Sequence, residues 1–353
     1  MNPTNHYGPT AARKHGRPGR EVRPKSITID IHSHVAVPAA AEFVKPHLDL
    51  ATIPLAHFAT PETKALNQKQ EADRRSRISQ YDERLKDMDD QGVDMQLIMP
   101  PPPQCYFTVA AEYAVPAIRM VNDGIAQYVA GKPDRFVALG TVPLQDGAEA
   151  AKELERSMKT LGFKGAQILT NVGGKELSDP AFAPFWAKAE ALGALVVIHP
   201  NGFTQAERLT RFYFNNVIGN PFDTTLALHY LIFDGVLERH PNLKILAVHG
   251  GGYLAGYSGR IDHAWGARSD ARGSLSKPPT EYLKRVYVDT VVFTPHQLRY
   301  LIDLFGADHV LMGTDYPFDM ADSDPIGHLG VSNLDASTMA AIAGGNAKKL
   351  LEI

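Results

Sequence analysis

Ile29-Asp30-Ile31-His32-Ser33-His34 is a short apolar run that ends in two histidines spaced two apart. On a strand, residues at that spacing point to the same face, so both imidazoles can reach one small cation. Imidazole is the commonest metal ligand and suits zinc, iron and other borderline metals. Two exposed or core-satisfied histidines would give the same pattern. Its meaning therefore depends on the architecture around this strand.

Short β-branched or apolar runs recur along the chain, each followed by a helix-like segment. The candidate strands are Ile27–Ile31, Asp94–Met99, Phe136–Thr141, Gly165–Leu169, Leu195–His199, Ile245–His249, Val286–Asp289 and Val310–Thr314. Helical patterns cover Ala111–Ala130, Ala148–Leu161, Ala181–Leu192, Thr224–Arg239, Pro295–Phe305 and Ala336–Leu351. Alternating strands and helices imply a parallel sheet, and eight such units predict an α/β fold of the closed (β/α)8 TIM-like barrel type. The gap between the first two strands is long, so residues 38–90 are expected to form an insertion over the barrel mouth, with a charged helical part at Glu71–Asp90. No internal repeat or low-complexity linker divides residues 27–353, which are expected to form a single domain.

The chain has 353 residues, 44% hydrophobic and 21% charged, ample for one large core. Its net charge of −3 argues against nucleic acid or an anionic membrane as the main partner. No apolar run approaches the ~20 residues that span a bilayer. Cys105 is the only cysteine, which excludes internal disulfides and points to a reducing, cytoplasmic setting. Residues 1–26 stand apart in composition. Arg13, Lys14, Arg17, Arg20, Arg23 and Lys25 accompany only one acid, Glu21, and the stretch lacks the apolar core of a secretory signal. It is expected to be a disordered basic leader.

Barrel enzymes place their chemistry where strands end and the following loops begin. His32 and His34 end strand one, His199 ends strand five, His249 ends strand six, Asp289 ends strand seven and Asp315 follows strand eight. A lone histidine after an apolar strand is more often a satisfied core residue than a ligand. Beside the His-x-His pair, however, His199 becomes a third nitrogen ligand that leaves positions open for water and substrate. Asp315 offers a hard anionic oxygen, or else a turn ahead of Pro317. His249-Gly-Gly-Gly also imitates a serine-esterase oxyanion loop, but no Gly-x-Ser-x-Gly elbow is present. Gly250-x-Gly252-x-x-Ala255 imitates a dinucleotide fingerprint only loosely. The glycines are better read as allowing a tight turn that leaves His249 as an acid/base, with Asp289 orienting His249 or a water. The remaining histidines, His328 among them, lack a strand-end context.

Taken together, Ile29-Asp-Ile-His-Ser-His34, Ile198-His-Pro200, His249-Gly-Gly-Gly252 and Gly313-Thr-Asp-Tyr-Pro-Phe318 resemble the motifs of the amidohydrolase-related metal-dependent decarboxylases. Further echoes are Met88–Gln96, Val142–Asp146, Arg260–Trp265, Pro278–Tyr282 and Val288–Phe293, so the likeness runs from about Thr28 to the C-terminus. The resemblance implies one zinc per subunit, with another divalent transition metal as the alternative, held by His32, His34, His199 and Asp315 with a water completing the shell. It implies an unligated acid/base at His249 and a small carboxylate substrate. It also implies a homodimer in which Arg260 reaches the neighbour's site, with a second arginine near Arg74, Arg75 or Arg77 and Phe293 among the residues that meet substrate. Relatives acting on resorcylate and carboxyvanillate carry glutamate at the first position of the pair. His32 therefore points to decarboxylation of a carboxylated muconate semialdehyde or a related aromatic-catabolism acid. Asn201-Gly202 replaces the Trp-Asp of the muconate-semialdehyde enzymes, and Phe203–Phe222 also differs, so the substrate itself lies beyond what the resemblance specifies. A hydrolase or hydratase would use the same ligands and base. A non-catalytic binding protein would be expected to have lost one of them.

Overall fold

The computed structural model describes residues 23–353; residues 1–22, with Arg13, Lys14, Arg17 and Arg20 of the basic leader, lie outside it. Eight parallel strands are present: β1 (Ile29–His34), β2 (Met95–Met99), β3 (Phe136–Ala138), β4 (Gly165–Leu169), β5 (Leu195–His199), β6 (Lys244–Ala247), β7 (Tyr287–Asp289) and β8 (Val310–Leu311). Pairing runs β1-β2-β3 in one sheet and β8-β7-β6-β5-β4 in another. Two junctions close the ring. After Leu139, strand three resumes as Gly140–Thr141 and pairs with β4. On the other side, Ile31 N donates to Met312 O, Asp315 N to His32 O and His34 N to Tyr316 O, each at 2.8 Å.

Burial on both faces explains why the strands read as unbroken apolar runs. Ile29, Ile31, Leu97, Met99, Leu139, Leu195, Val197, Leu246, Val248 and Leu311 fill the barrel interior, and Leu350 and Leu351 of the C-terminal helix Asn346–Leu351 pack against this cluster. The alternate strand residues, such as Ile98, Ile168, Ile198 and Val288, join the larger cluster under the helices.

One irregularity decides where the histidines point. Along β1 and β2, Asp30 pairs with Gln96 but Ser33 pairs with Ile98, so β1 carries one extra residue there. Such a bulge shifts the side-chain alternation by one. Ile29 and Ile31 face the barrel interior before it, and His32 and His34 face the same way after it. Without the bulge, both imidazoles would be aimed at the helical layer.

The insertion contains helices Pro38–Val44, Pro61–Asp73, Arg75–Ser79 and Asp82–Gln91, so the charged part anticipated as one helical stretch is broken at Arg74 and Gln80. Its last helix is anchored by Arg84, a guanidinium with no exposed surface. Arg84 donates to His34 O, to Gln96 Oε1 at 2.9 Å and to Arg77 O at 3.2 Å, and it lies 4.7 Å from the Tyr316 ring centroid. Of the leader's cations, Arg23 pairs with Asp94 at 3.1 Å. Among the described residues, no helix is long and apolar enough to cross a membrane. Replacing Arg84 with Leu would leave the His34 and Gln96 acceptors buried and unpaired. We expect a loss on the order of 3 kcal/mol in urea unfolding, and a change under about 0.5 kcal/mol would show that this anchor is dispensable.

Candidate metal centre

His32 and His34 on β1, His199 at the end of β5, His249 after β6 and Asp315 after β8 meet at the C-terminal mouth of the barrel. The ring centroids of His32, His34 and His199 form a triangle with sides of 5.1 Å. His34 Nε2, His32 Nε2 and His199 Nε2 lie 3.2, 3.3 and 3.9 Å from Asp315 Oδ1. His249 Nε2 faces the other carboxylate oxygen, Oδ2, at 3.5 Å. Donor atoms of His32, His199, His249 and Asp315 all lie within 4.8 Å of one another. The structure thus brings His249 as close as the sequence-derived ligands, and proximity alone does not separate its role from theirs.

Outer contacts do separate it. His32 Nδ1 donates to Asp289 Oδ2 at 2.8 Å, His34 Nδ1 to Pro100 O at 3.0 Å and His199 Nδ1 to Pro200 O at 2.7 Å. Carboxylate and carbonyl oxygens only accept, so each ring must carry its proton on Nδ1 and present the Nε2 lone pair to the centre. Metal-binding histidines are oriented in this way. His249 has no such partner: its Nδ1 is buried without a hydrogen bond. Its tautomer is therefore not fixed from behind, as befits a proton carrier.

Asp289 accordingly orients His32, whereas the sequence had suggested His249 or a water. Its Oδ1 accepts from Gly250 N at 2.9 Å. Gly250 is needed there, because at φ +64° a Cβ would stand 2.5 Å from Val292 Cγ1. His249 and Asp315 themselves hold left-handed backbone at φ 55° and 66°, a strain that non-glycine residues keep chiefly at functional sites.

The charge states suit a cation. Burial pushes the His199 imidazole down to about 3 and also lowers His34, keeping both neutral. Burial opposes charge on His32 too, but Asp315 and Asp289 outweigh it and raise its pKa. Burial alone would raise Asp315, yet the surrounding imidazoles hold it well below the usual carboxylate range. The buried Nε2 atoms of His32 and His199 have no hydrogen-bond partner. Three imidazole nitrogens and one carboxylate oxygen with open positions fit a catalytic divalent transition metal.

A cavity of about 580 Å³ lies over this cluster, lined by His199, His249 and Asp315 and roofed by insertion residues such as Ile53, Leu55 and Gln70. Of the three candidate arginines, Arg74 lines it, 5.1 Å from the Phe318 ring centroid. Arg77 is turned to Asp87 at 2.9 Å and Glu83 at 3.5 Å, and Arg75 is exposed outside the cavity lining. Phe293 lines the cavity; Arg260 is exposed on the helix Ser258–Ala267 and is absent from the cavity lining. His328, set aside in the sequence, is fully buried with Nδ1 3.1 Å from Asp322 Oδ2, while Asp322 N donates to Thr314 O at 2.8 Å beneath the Asp315 turn.

Residues 29–353 match the amidohydrolase family model. The chain belongs to the amidohydrolase family. A 2-amino-3-carboxymuconate-6-semialdehyde decarboxylase of Dictyostelium discoideum is 32% identical over 331 residues, covering 93% of this chain and 92% of that one. A gamma-resorcylate decarboxylase of Rhizobium radiobacter is 31% identical over 272 residues, or 68% and 78% of the two chains. The crystal structure of 5-carboxyvanillate decarboxylase from Sphingomonas paucimobilis matches with a TM-score of 0.83 at 28% identity, covering 93% of this chain and 100% of that one.

Because Asp289 fixes the His32 tautomer, Asp289→Asn is expected to weaken metal affinity by about 10- to 100-fold in a chelator competition. Unchanged affinity would remove that role. Imidazole binds a cation only when neutral, so metal content should also fall as pH drops through the histidine range.

Proposed function

We propose that this amidohydrolase-family chain is a carboxy-lyase: a zinc-dependent, non-oxidative decarboxylase of a carboxylated muconate semialdehyde or related aromatic-catabolism acid. One observation carries the reading. Three imidazoles with locked tautomers face one oxygen of Asp315, while a fourth, His249, faces the other oxygen with its rear nitrogen unclaimed. That arrangement separates ligands from proton carrier within a few ångströms. The similar decarboxylases named above support the reaction class.

His32, His34, His199 and Asp315 would hold the ion, and the three-nitrogen, one-oxygen donor set favours zinc. When bound, it would act as a Lewis acid on a substrate oxygen. Arg74, on the cavity wall, fits a substrate carboxylate and would fix the scissile bond relative to His249. As the carbon–carbon bond breaks, its electron pair passes into the conjugated system, and His249 delivers the proton that replaces carbon dioxide on carbon. Phe293 and Phe318 would pack the planar body of the substrate. Arg260 would complete the site of a neighbouring subunit in a homodimer, and the single buried thiol, Cys105, accords with a cytoplasmic setting.

His249→Ala should retain metal by elemental analysis yet lose about 10²- to 10⁴-fold in carbon dioxide release. An active variant would strip His249 of its role. Turnover of carboxylated muconate semialdehydes or hydroxybenzoates without carbon dioxide release would instead reveal a hydrolase or hydratase. Mixed Arg260→Ala/His249→Ala heterodimers should recover activity, because one of their two sites would keep both residues. Verified but inactive heterodimers would rule out the shared arginine.

A further inference from the structure

A second chamber of about 690 Å³ lies beside the metal cavity. Leu48, Ile53, Pro102, Pro103 and Asn201 line both spaces, so the partition is one side chain thick. The metal site sits over the ends of β1, β5, β6 and β8, whereas the chamber lies over the ends of β2 to β5. Its far side is closed by the hairpin formed by Asn171–Val172 and Lys175–Glu176.

The lining is chiefly apolar, with Tyr106, Phe107, Val109, Val172 and Phe182 all buried. Two lining side chains carry a buried polar atom without a hydrogen-bond partner, Tyr106 at its hydroxyl and Gln145 at its amide oxygen. Gln145 Nε2 donates to Tyr106 O at 2.7 Å and Val109 O at 2.8 Å, and its Oε1 is buried with no hydrogen-bond partner. Both unpaired atoms are sealed behind the lining, so a molecule in the chamber meets a chiefly apolar wall. The chamber also has the size and make-up of a small-molecule site.

We propose that this chamber receives an apolar extension of the substrate whose carboxylate is processed in the metal cavity. The substrate is then an aromatic acid larger than a single ring, carrying a hydrophobic substituent. The thin partition favours one ligand spanning both spaces over two unrelated ligands, since half-buried Asn201 is, among the described residues, the only polar side chain in the shared wall. The inference rests on the decarboxylase reading for the carboxylate end of the substrate.

Calorimetric titration of the metal-loaded protein tests it, using 2-hydroxybenzoate and its derivatives with alkyl, phenyl and hydroxyphenyl groups at ring position 4 or 5. The phenyl derivatives should bind at least about tenfold more tightly than the parent acid, and the hydroxyphenyl ones no more tightly than the phenyl. Asn201→Trp at the partition, or Thr204→Trp at the exposed chamber rim, should erase that gain. Substituted acids that bind no better than the parent, or a gain that survives both variants, would overturn the proposal. Carbon dioxide release, followed in parallel, tells the two readings apart. A gain abolished by the tryptophans without any release keeps the chamber and sinks the decarboxylase; release from the parent acid without a gain does the reverse.

Discussion

Asp315 donates its backbone N–H to the carbonyl of His32, and this bond joins the last strand of the barrel to the first. It also sets the Asp315 carboxylate among the imidazoles that β1 and β5 contribute. Closure of the fold and assembly of the centre are thus the same event. Asp30 reinforces the seam. Its buried carboxylate accepts from Thr314 Oγ1 at 2.6 Å, Thr314 N at 3.0 Å, His32 N at 3.0 Å and Gln96 Nε2 at 3.0 Å. Strands one, two and eight therefore move together, which gives the centre the preorganisation that catalytic geometry demands.

The electrostatics follow from that packing. Asp30, Asp289 and Asp315 are three carboxylates with little or no exposure, close to four imidazoles. Burial raises Asp30 to about 6, while His32 outweighs burial at Asp289 and holds it below the usual range. Buried charge is tolerated only when paired or bound to a cation. Neutral His34 and His199 beside an ionised Asp315 form a pocket that matches a divalent ion. Arg84 balances the same region from outside the barrel wall, bonded to the carbonyl of His34.

The sequence carried the periodicity but not the register. All eight strands were legible because each is a short apolar run buried on both faces, and the histidines and aspartate at their ends were legible because barrels gather strand ends at one mouth. The β1 bulge left no mark in Ile29–His34, since an extra residue in one strand is defined only by its partner. Leu139, where strand three breaks, was hidden in the same way. Asp289 was seen as a strand-end carboxylate, but its partner was not, because pairing across the mouth depends on the turn at Gly250. Arg84 read as one more charge on a helix. Only the fold shows it enclosed, and only the fold separates Arg74 from Arg75 and Arg77. The second chamber is assembled from six separate segments, so no local pattern could announce it.

The left-handed backbone at His249 and Asp315 has a consequence for how such a chain evolves. Each residue holds a conformation that costs about 1–3 kcal/mol and that glycine would adopt freely. Selection for a sturdier barrel would tend to replace both, and only selection on chemistry opposes that drift. A descendant released from its reaction should lose these two residues before it loses any interior leucine.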